Sequence, residues 1–199
     1  AARILGGFFT ALTLGTVLGW VASRFWVVET LLRPITAVIK ATPVASFIIL
    51  VLLWFSGKNL SVIISMLMVF PVIYMNVLEG IRSADEKLLE MAQVFRLSVG
   101  KKLLYIYLPA VAPFFVSACS VSLGLCWKSG IAAEVIGTPD GSIGAVFYQA
   151  KIFLQTSELL AWTVVVVAVS VAFEKLFMFL LRLILKKLKM EDVLNGKRA

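Results

Sequence analysis

Of the 199 residues, 61% are hydrophobic and only 15% charged, and the mean hydropathy is +1.00. That balance excludes a soluble globular core and makes one integral membrane domain over residues 1–199 the expectation, because lipid must solvate much of the apolar surface. The net charge of +8 does not mark a nucleic-acid binder, since the basic residues fall between apolar stretches rather than in one cluster with interleaved aromatics.

The chain opens Ala1-Ala2-Arg3, without a methionine, which leaves room for a preceding segment. Arg3 and the run after it have the charge and apolar core of a signal peptide. The run is longer than the usual apolar region and lacks a clear cleavage site, so a retained transmembrane helix is expected. Further uncharged runs cover residues 41–57, 59–78, 103–127 and 159–173, the last continuing past Glu174 and Lys175 into residues 176–185. With residues 4–23 they predict five spanning helices. The second is long enough only if residues 35–40 join it, with Lys40 reaching back to the surface. Basic residues then divide unequally. One set of loops holds Arg24, Arg33, Lys40, Arg82, Lys87, Arg96, Lys101, Lys102, Arg182, Lys186, Lys187, Lys189, Lys197 and Arg198; the other holds Arg3, Lys58, Lys128 and Lys151. Positive charge concentrates on the cytoplasmic side of membrane proteins, so the 82–107 loop and the C-terminus are expected in the cytosol.

Within that loop, residues 83–86 (Ser-Ala-Asp-Glu) fit a capping box at a helix start. Leu88, Met91 or Ala92, Phe95 and Val99 then recur at three-to-four spacing, which predicts a short amphipathic helix, lying on the bilayer or docking a soluble partner. Residues 128–157 form the exterior Gly-rich segment. Gly130, Gly137, Gly141 and Gly144 with Pro139 break it into pieces too short to span, so it is expected to dip back against the helices as a re-entrant stretch, with a turn at 138–142.

Several residues carry two readings. Lys128, after Trp127 at the end of the fourth apolar run, either snorkels to the outer interface or faces a path where it attracts an anion or pairs with Glu134. Glu134 is either solvated or at an external gate. Ser129 and Asn76 join them as candidate path residues, against the plainer reading that such groups bond back to their own helix. Gly15 and Gly19 permit close helix packing, within or between subunits. Glu174 and Lys175 are expected to serve an interface or an intersubunit pair. Cys119 and Cys126 are too far apart along one helix for a disulfide and are expected to fill space. With no histidine, no paired acids in a span and no phosphate loop of the Gly-x-x-x-x-Gly-Lys kind, neither a metal site nor an embedded enzyme is expected.

The stretch from Glu90 to Pro109 resembles the EAA loop of permease subunits of ABC importers: Glu90, Ala92, Ile106, Leu108 and Pro109 fall on that spacing, while Met91 stands where alanine is usual and Arg96 where glycine is usual. Trp127, Ala133, Glu134, Gly144 and Glu158 are similar to the end of the nitrate/sulfonate/taurine-like branch, and the first helix with residues 42–57 resembles its core. The resemblance implies an all-α type I importer permease fold in a bacterial inner membrane. Glu90, Met91, Ala92, Phe95, Arg96, Leu97, Ser98 and Gly100 would then couple to a cytosolic ABC ATPase dimer. A second permease subunit, most simply another copy of this chain, and an external substrate-binding protein would complete the assembly. ATP and magnesium would sit on the ATPase and no cofactor on this chain. An energy-independent channel or secondary carrier is the rival, though no inverted repeat shows in the hydropathy.

Overall fold

The structure is a computed structural model, describing residues 1–55 and 57–187; Lys189, Lys197 and Arg198, which entered the charge count, lie outside the described residues. Every regular element among the described residues is helical: α1 (Ala2–Arg24), α2 (Trp26–Ala41), α3 (Val44–Trp54), α4 (Gly57–Arg82), α5 (Glu86–Val94), α6 (Val99–Lys102), a π-helical turn (Leu103–Tyr107), α7 (Leu108–Gly137), α8 (Ile143–Ile152) and α9 (Thr156–Lys187). Four continuous helical stretches are long and apolar enough to cross a membrane: α1, α4, residues 99–137 and α9.

The second expected span is a bent pair rather than one helix. α2 and α3 meet at 109°. Pro43 lacks the N–H that would continue the ladder and disfavours helix for the residue before it, so Thr42 turns extended at ψ 132° and residues 35–40 stay with α2. The pair nevertheless climbs α4 from end to end. Glu29 at the start of α2 pairs with Arg82, Lys40 donates to the Met75 sulfur, and Ile48 of α3 packs with Leu60 and Ile64. Counted as one broken span, the pair brings the crossings to five beside the four continuous helices. Lys40 thus lies partway along α4 and not in the loop.

α1, α4 and α7 form the core. Ile4, Phe8 and Ala11 of α1 meet Val69, Ile73 and Val77 of α4 and Ala118, Cys119, Leu123, Cys126 and Trp127 of α7. The α1–α4 contact is backbone-close because a Cβ on Gly15 would stand 2.9 Å from that of Ile73, and one on Gly19 would stand 3.0 Å from that of Val77. The two glycines are spent on packing inside the chain. Both cysteines are free and buried here, the Cys126 thiol reaching the Ile4 carbonyl at 3.3 Å.

α7 runs ten residues past the expected end of its span, so most of the Gly-rich segment is helical. The segment breaks at residues 138–142 and again at 153–155, where Leu154 is left-handed (φ 53°); in the first break Thr138 is left-handed (φ 39°), Gly141 has φ 68°, and the Ser142 N–H closes the turn on the Pro139 carbonyl at 3.2 Å. α8, at ten residues, is too short to span. The π-helical turn comes just before Pro109, whose missing N–H and ring bulk disturb the ladder at the foot of α7. α9 touches α8 as well as α7, and it packs on the core along its second half through Phe173, Phe177, Met178 and Leu181; Phe177 meets Phe8 edge-on at 5.2 Å. Leu185 is its one fully buried residue, so most of its surface is left for lipid or another chain.

Candidate functional site

Two regions gather the polar and exposed groups singled out in the sequence. The first is the loop between α4 and α6. Its helix starts two residues later than the capping box implies: Asp85, not Ser83, is the cap, its carboxylate accepting from the Lys87 N–H at 2.9 Å. The Ser83 hydroxyl instead donates back to Gly80 at the tail of α4. An aspartate cap with Glu86 in the first turn satisfies the same exposed N–H groups and favours the same dipole.

The two faces of α5 differ. Ala92 is 0% exposed, packed with Ala84 and Ile106 and flanked by Leu89, Leu97, Tyr107 and Ala110. It anchors the loop to its own chain and offers nothing to a partner. Around it the loop presents Leu88, Met91, Val94 (79% exposed), Phe95 (71%) and Val99 to the outside, with Glu90, Arg96, Ser98 and Gly100 also exposed. An apolar patch this contiguous at a charged end of a bundle marks an interaction surface. The helix ends in a Schellman turn: the Leu97 N–H donates to the Ala92 carbonyl at 2.9 Å and the Arg96 N–H to that of Gln93 at 3.1 Å. Arg96 occupies the left-handed position of that turn, at φ 51°. Glycine is easiest there, which accounts physically for the residue usual at this place in the resembling loops.

The second region lies along α7. Lys128 is nine residues before the end of α7 rather than at its mouth, exposed on the side facing α9. Six residues further, Glu134 falls on a different face and is 1% exposed. Its carboxylate accepts from the Gly144 N–H at 3.3 Å, next to Ser142, whose hydroxyl accepts from Ala145 at 3.0 Å. The pair caps α8, and a Cβ on Gly144 would collide with the Glu134 backbone. Glu134 is thus neither solvated nor paired with Lys128; it fastens α8 to α7. Ser129 is buried and bonds back to Leu125 at 2.8 Å, and the Asn76 amide bonds back to Val72 at 2.8 Å. Asn76 lies near the Arg82 end of α4, whereas residues 126–130 lie against Ser65, eleven residues (~16 Å) away, so Asn76 and Lys128 do not share a site. Trp127 is buried edge-on against Phe173, its indole N–H without a partner among the described residues.

Between α7 and α9 a cleft of about 340 Å³ is lined by Trp127 and Lys128 on one wall and Val166, Ser170 and Glu174 on the other. Ser120 donates to Glu174 at 3.1 Å, and an adjoining cleft carries Lys175 and Arg182. Glu174 stands near the middle of α9, thirteen residues before Lys187, with Lys175 and Arg182 following it on the same helix. A Glu-Lys pair interrupting an apolar run was its signal in the sequence. The partnership with Ser120 and the cleft with Lys128 needed the packing of two distant helices.

Helices that cross the bilayer five times, counting the bent pair, with an outward apolar loop helix and a polar seam between two spans, define an integral membrane component rather than a soluble enzyme or a lone anchor. Residues 11–190 match the family described as binding-protein-dependent transport system inner membrane component, and the chain belongs to that family. It is a family of transport components, not of enzymes. The chain is 29% identical over 182 residues (90% of its length) to the putative aliphatic sulfonates transport permease protein SsuC of Bacillus subtilis. It is 27% identical over 173 residues (86%) to the taurine transport system permease protein TauC of Escherichia coli. It is 25% identical over 182 residues (80%) to the nitrate import permease protein NrtB of Synechococcus elongatus. The matches span 65%, 62% and 64% of those relatives, a little under two thirds of each.

Proposed function

We propose that this chain is the membrane-spanning permease subunit of an ATP-driven importer for a small anionic solute. It pairs with a second permease subunit, takes solute from an external binding protein and docks a pair of cytosolic ABC ATPases through the 83–102 loop. The observation that carries the reading is the outward apolar face of Met91, Val94, Phe95 and Val99 on a helix whose inner face is locked by Ala92. A helix with one side fixed to the bundle and the other unfilled suits the transmission of ATPase closure to the spans above it.

ATP and magnesium belong to the ATPase in this scheme, and this chain contributes shape and mechanical coupling. The loop and the C-terminus face the cytosol, supported by the basic residues Arg24, Arg82, Lys87, Arg96, Lys101, Lys102, Lys186 and Lys187 at the ends of the spans on that side. The small anion is supported by what the relatives are named for: sulfonates, taurine and nitrate. Purification of the tagged chain from its own membranes tests the docking. ATP hydrolysis should accompany wild type and be lost with Phe95→Asp while the chain remains in the membrane; hydrolysis that survives Phe95→Asp, or never accompanies the chain, would contradict the reading.

A further inference from the structure

α1 and α7 both pack on α4, but they do not stay together along it. At one end the Cys126 thiol donates to the Ile4 carbonyl at 3.3 Å, and Ala11 still shares the core with Ala118 and Cys119. Toward the Arg24 end a groove of about 540 Å³ parts them, floored by Val77 and Ile81 of α4 and walled by Val17 and Trp20 on one side and Leu103 and Leu108 on the other. Thr16 and Tyr107 carry the only hydroxyls of its lining, and that of Thr16 donates back to Leu12 at 2.6 Å. Val17 and Trp20 are more than half exposed, so the groove is left for something outside the described residues to fill.

The rim is charged where the walls are not. Arg24 follows Val17 and Trp20 at seven and four residues, on the same stripe of α1, and Lys102 directly precedes Leu103. Neither these two nor Lys101 has an ion pair among the described residues. The acids of this end are placed elsewhere: Glu29 holds Arg82, Glu79 lines the cleft between α2 and α4, Asp85 caps α5 and Glu86 stands in its first turn. None of them lines the groove. Hydrocarbon depth, a tryptophan at the wall and cations at the mouth are complementary to a lipid with a negative headgroup. A neutral phospholipid would fill the groove and leave the rim unanswered; a free anion would answer the rim and leave the groove open.

We propose that the groove between α1 and the foot of α7 binds an anionic phospholipid, one acyl chain along Val17, Trp20 and Leu108 and its phosphate at Arg24 and Lys102. The site goes beyond the permease reading and borrows from it only the leaflet, the cytosolic one, whose surface is the more negative. Binding is read without the ATPase, so that failure of the site and failure of the transport reading stay separate. The full chain, in nanodiscs of phosphatidylcholine, receives a trace of phosphatidylglycerol with a diazirine on one acyl chain, and the photolabelled peptides are mapped by mass spectrometry. Phosphatidylcholine with the same diazirine is the comparison. The anionic lipid should label residues 16–20 and 103–111 at least about fivefold more than the neutral one, the gain expected of a single cation at a headgroup. Arg24→Gln with Lys102→Gln should bring the two lipids level, and Arg24→Lys with Lys102→Arg should keep the preference. Val17→Trp, at an exposed wall position, should lower labelling by both lipids with the charges untouched. Millimolar glycerol phosphate, a headgroup without chains, should leave the labelling unchanged. Size-exclusion profiles matching wild type show that the variants are folded. Equal labelling by the two lipids in wild type, a preference that survives the double Gln variant, or displacement by glycerol phosphate would overturn the assignment. Absence of label from both stretches would overturn it too, and Val17→Cys then joining two copies by a disulfide would give the groove to a second copy of the chain.

Discussion

Ala92 and Phe95 sit three residues apart on the 83–102 loop, one buried and the other exposed, so a change at each should fail differently. Phe95 is 71% exposed. If a partner covers it, burying the ring contributes ~1.5–3 kcal/mol, and Phe95→Ala should weaken ATPase association by ~10–150-fold without altering the chain. Ala92 is closed in by Ala84, Leu89, Leu97, Ile106 and Tyr107. Ala92→Asp places a carboxylate there with no basic partner in the cluster, at a cost of several kcal/mol, enough to lift the helix from the base of α7. Two measurements on each variant in nanodiscs separate the cases: affinity for the purified ATPase, and protease cleavage within residues 83–102. Phe95→Ala should lose affinity with an intact, resistant loop; Ala92→Asp should lose both. A protease-sensitive loop in Phe95→Ala, or a resistant one in Ala92→Asp, would refute the assignment of the two faces.

Gly144→Ala drives a methyl into the Glu134 backbone, so α8 should lift at a cost of ~1–3 kcal/mol, read as faster amide exchange at residues 144 and 145; unchanged exchange would contradict that close approach. Arg96→Gly removes the ~1–2 kcal/mol penalty of a left-handed non-glycine residue and adds ~0.5–1 kcal/mol of unfolded-chain freedom. Exchange at Leu97 should therefore slow, by about fivefold for a net gain of ~1 kcal/mol, and faster exchange would refute the strain argument. In a background lacking Cys119 and Cys126, an impermeant maleimide applied to whole cells should label Asp140→Cys and spare Val94→Cys; the reverse pattern would invert the topology and with it the docking surface.

The four continuous spans were legible because long apolar runs need no tertiary information. Where the reading departed, local chemistry outweighed composition. Thr42-Pro43 broke a run that hydropathy alone makes continuous. The glycines at 130 and 137 suggested an irregular segment, but α7 absorbs them: Gly130 faces Ser65 and Ile4, and Gly137 faces Leu60, where a side chain would not fit. The amphipathic stripe of the loop was visible, but which face is buried was not, since a three-to-four period marks the sides without saying which one the bundle fills. Lys128 and Glu134 looked like a pair because they are near in sequence. On a helix, six residues turn one away from the other, and the partners each meets, α9 and α8, arrive from later in the chain.

In the proposed scheme, transport through this chain is driven by ATP hydrolysed on a partner. That coupling is tested most directly in proteoliposomes holding the permease with its ATPase, loaded with ATP and magnesium, with the binding protein and a labelled small sulfonate outside. The sulfonate should accumulate above its external concentration, with internal ATP and the binding protein both required, and accumulation should be lost with Phe95→Asp. Equilibration down the gradient without ATP, unaffected by Phe95→Asp, would identify a channel or carrier and contradict the scheme.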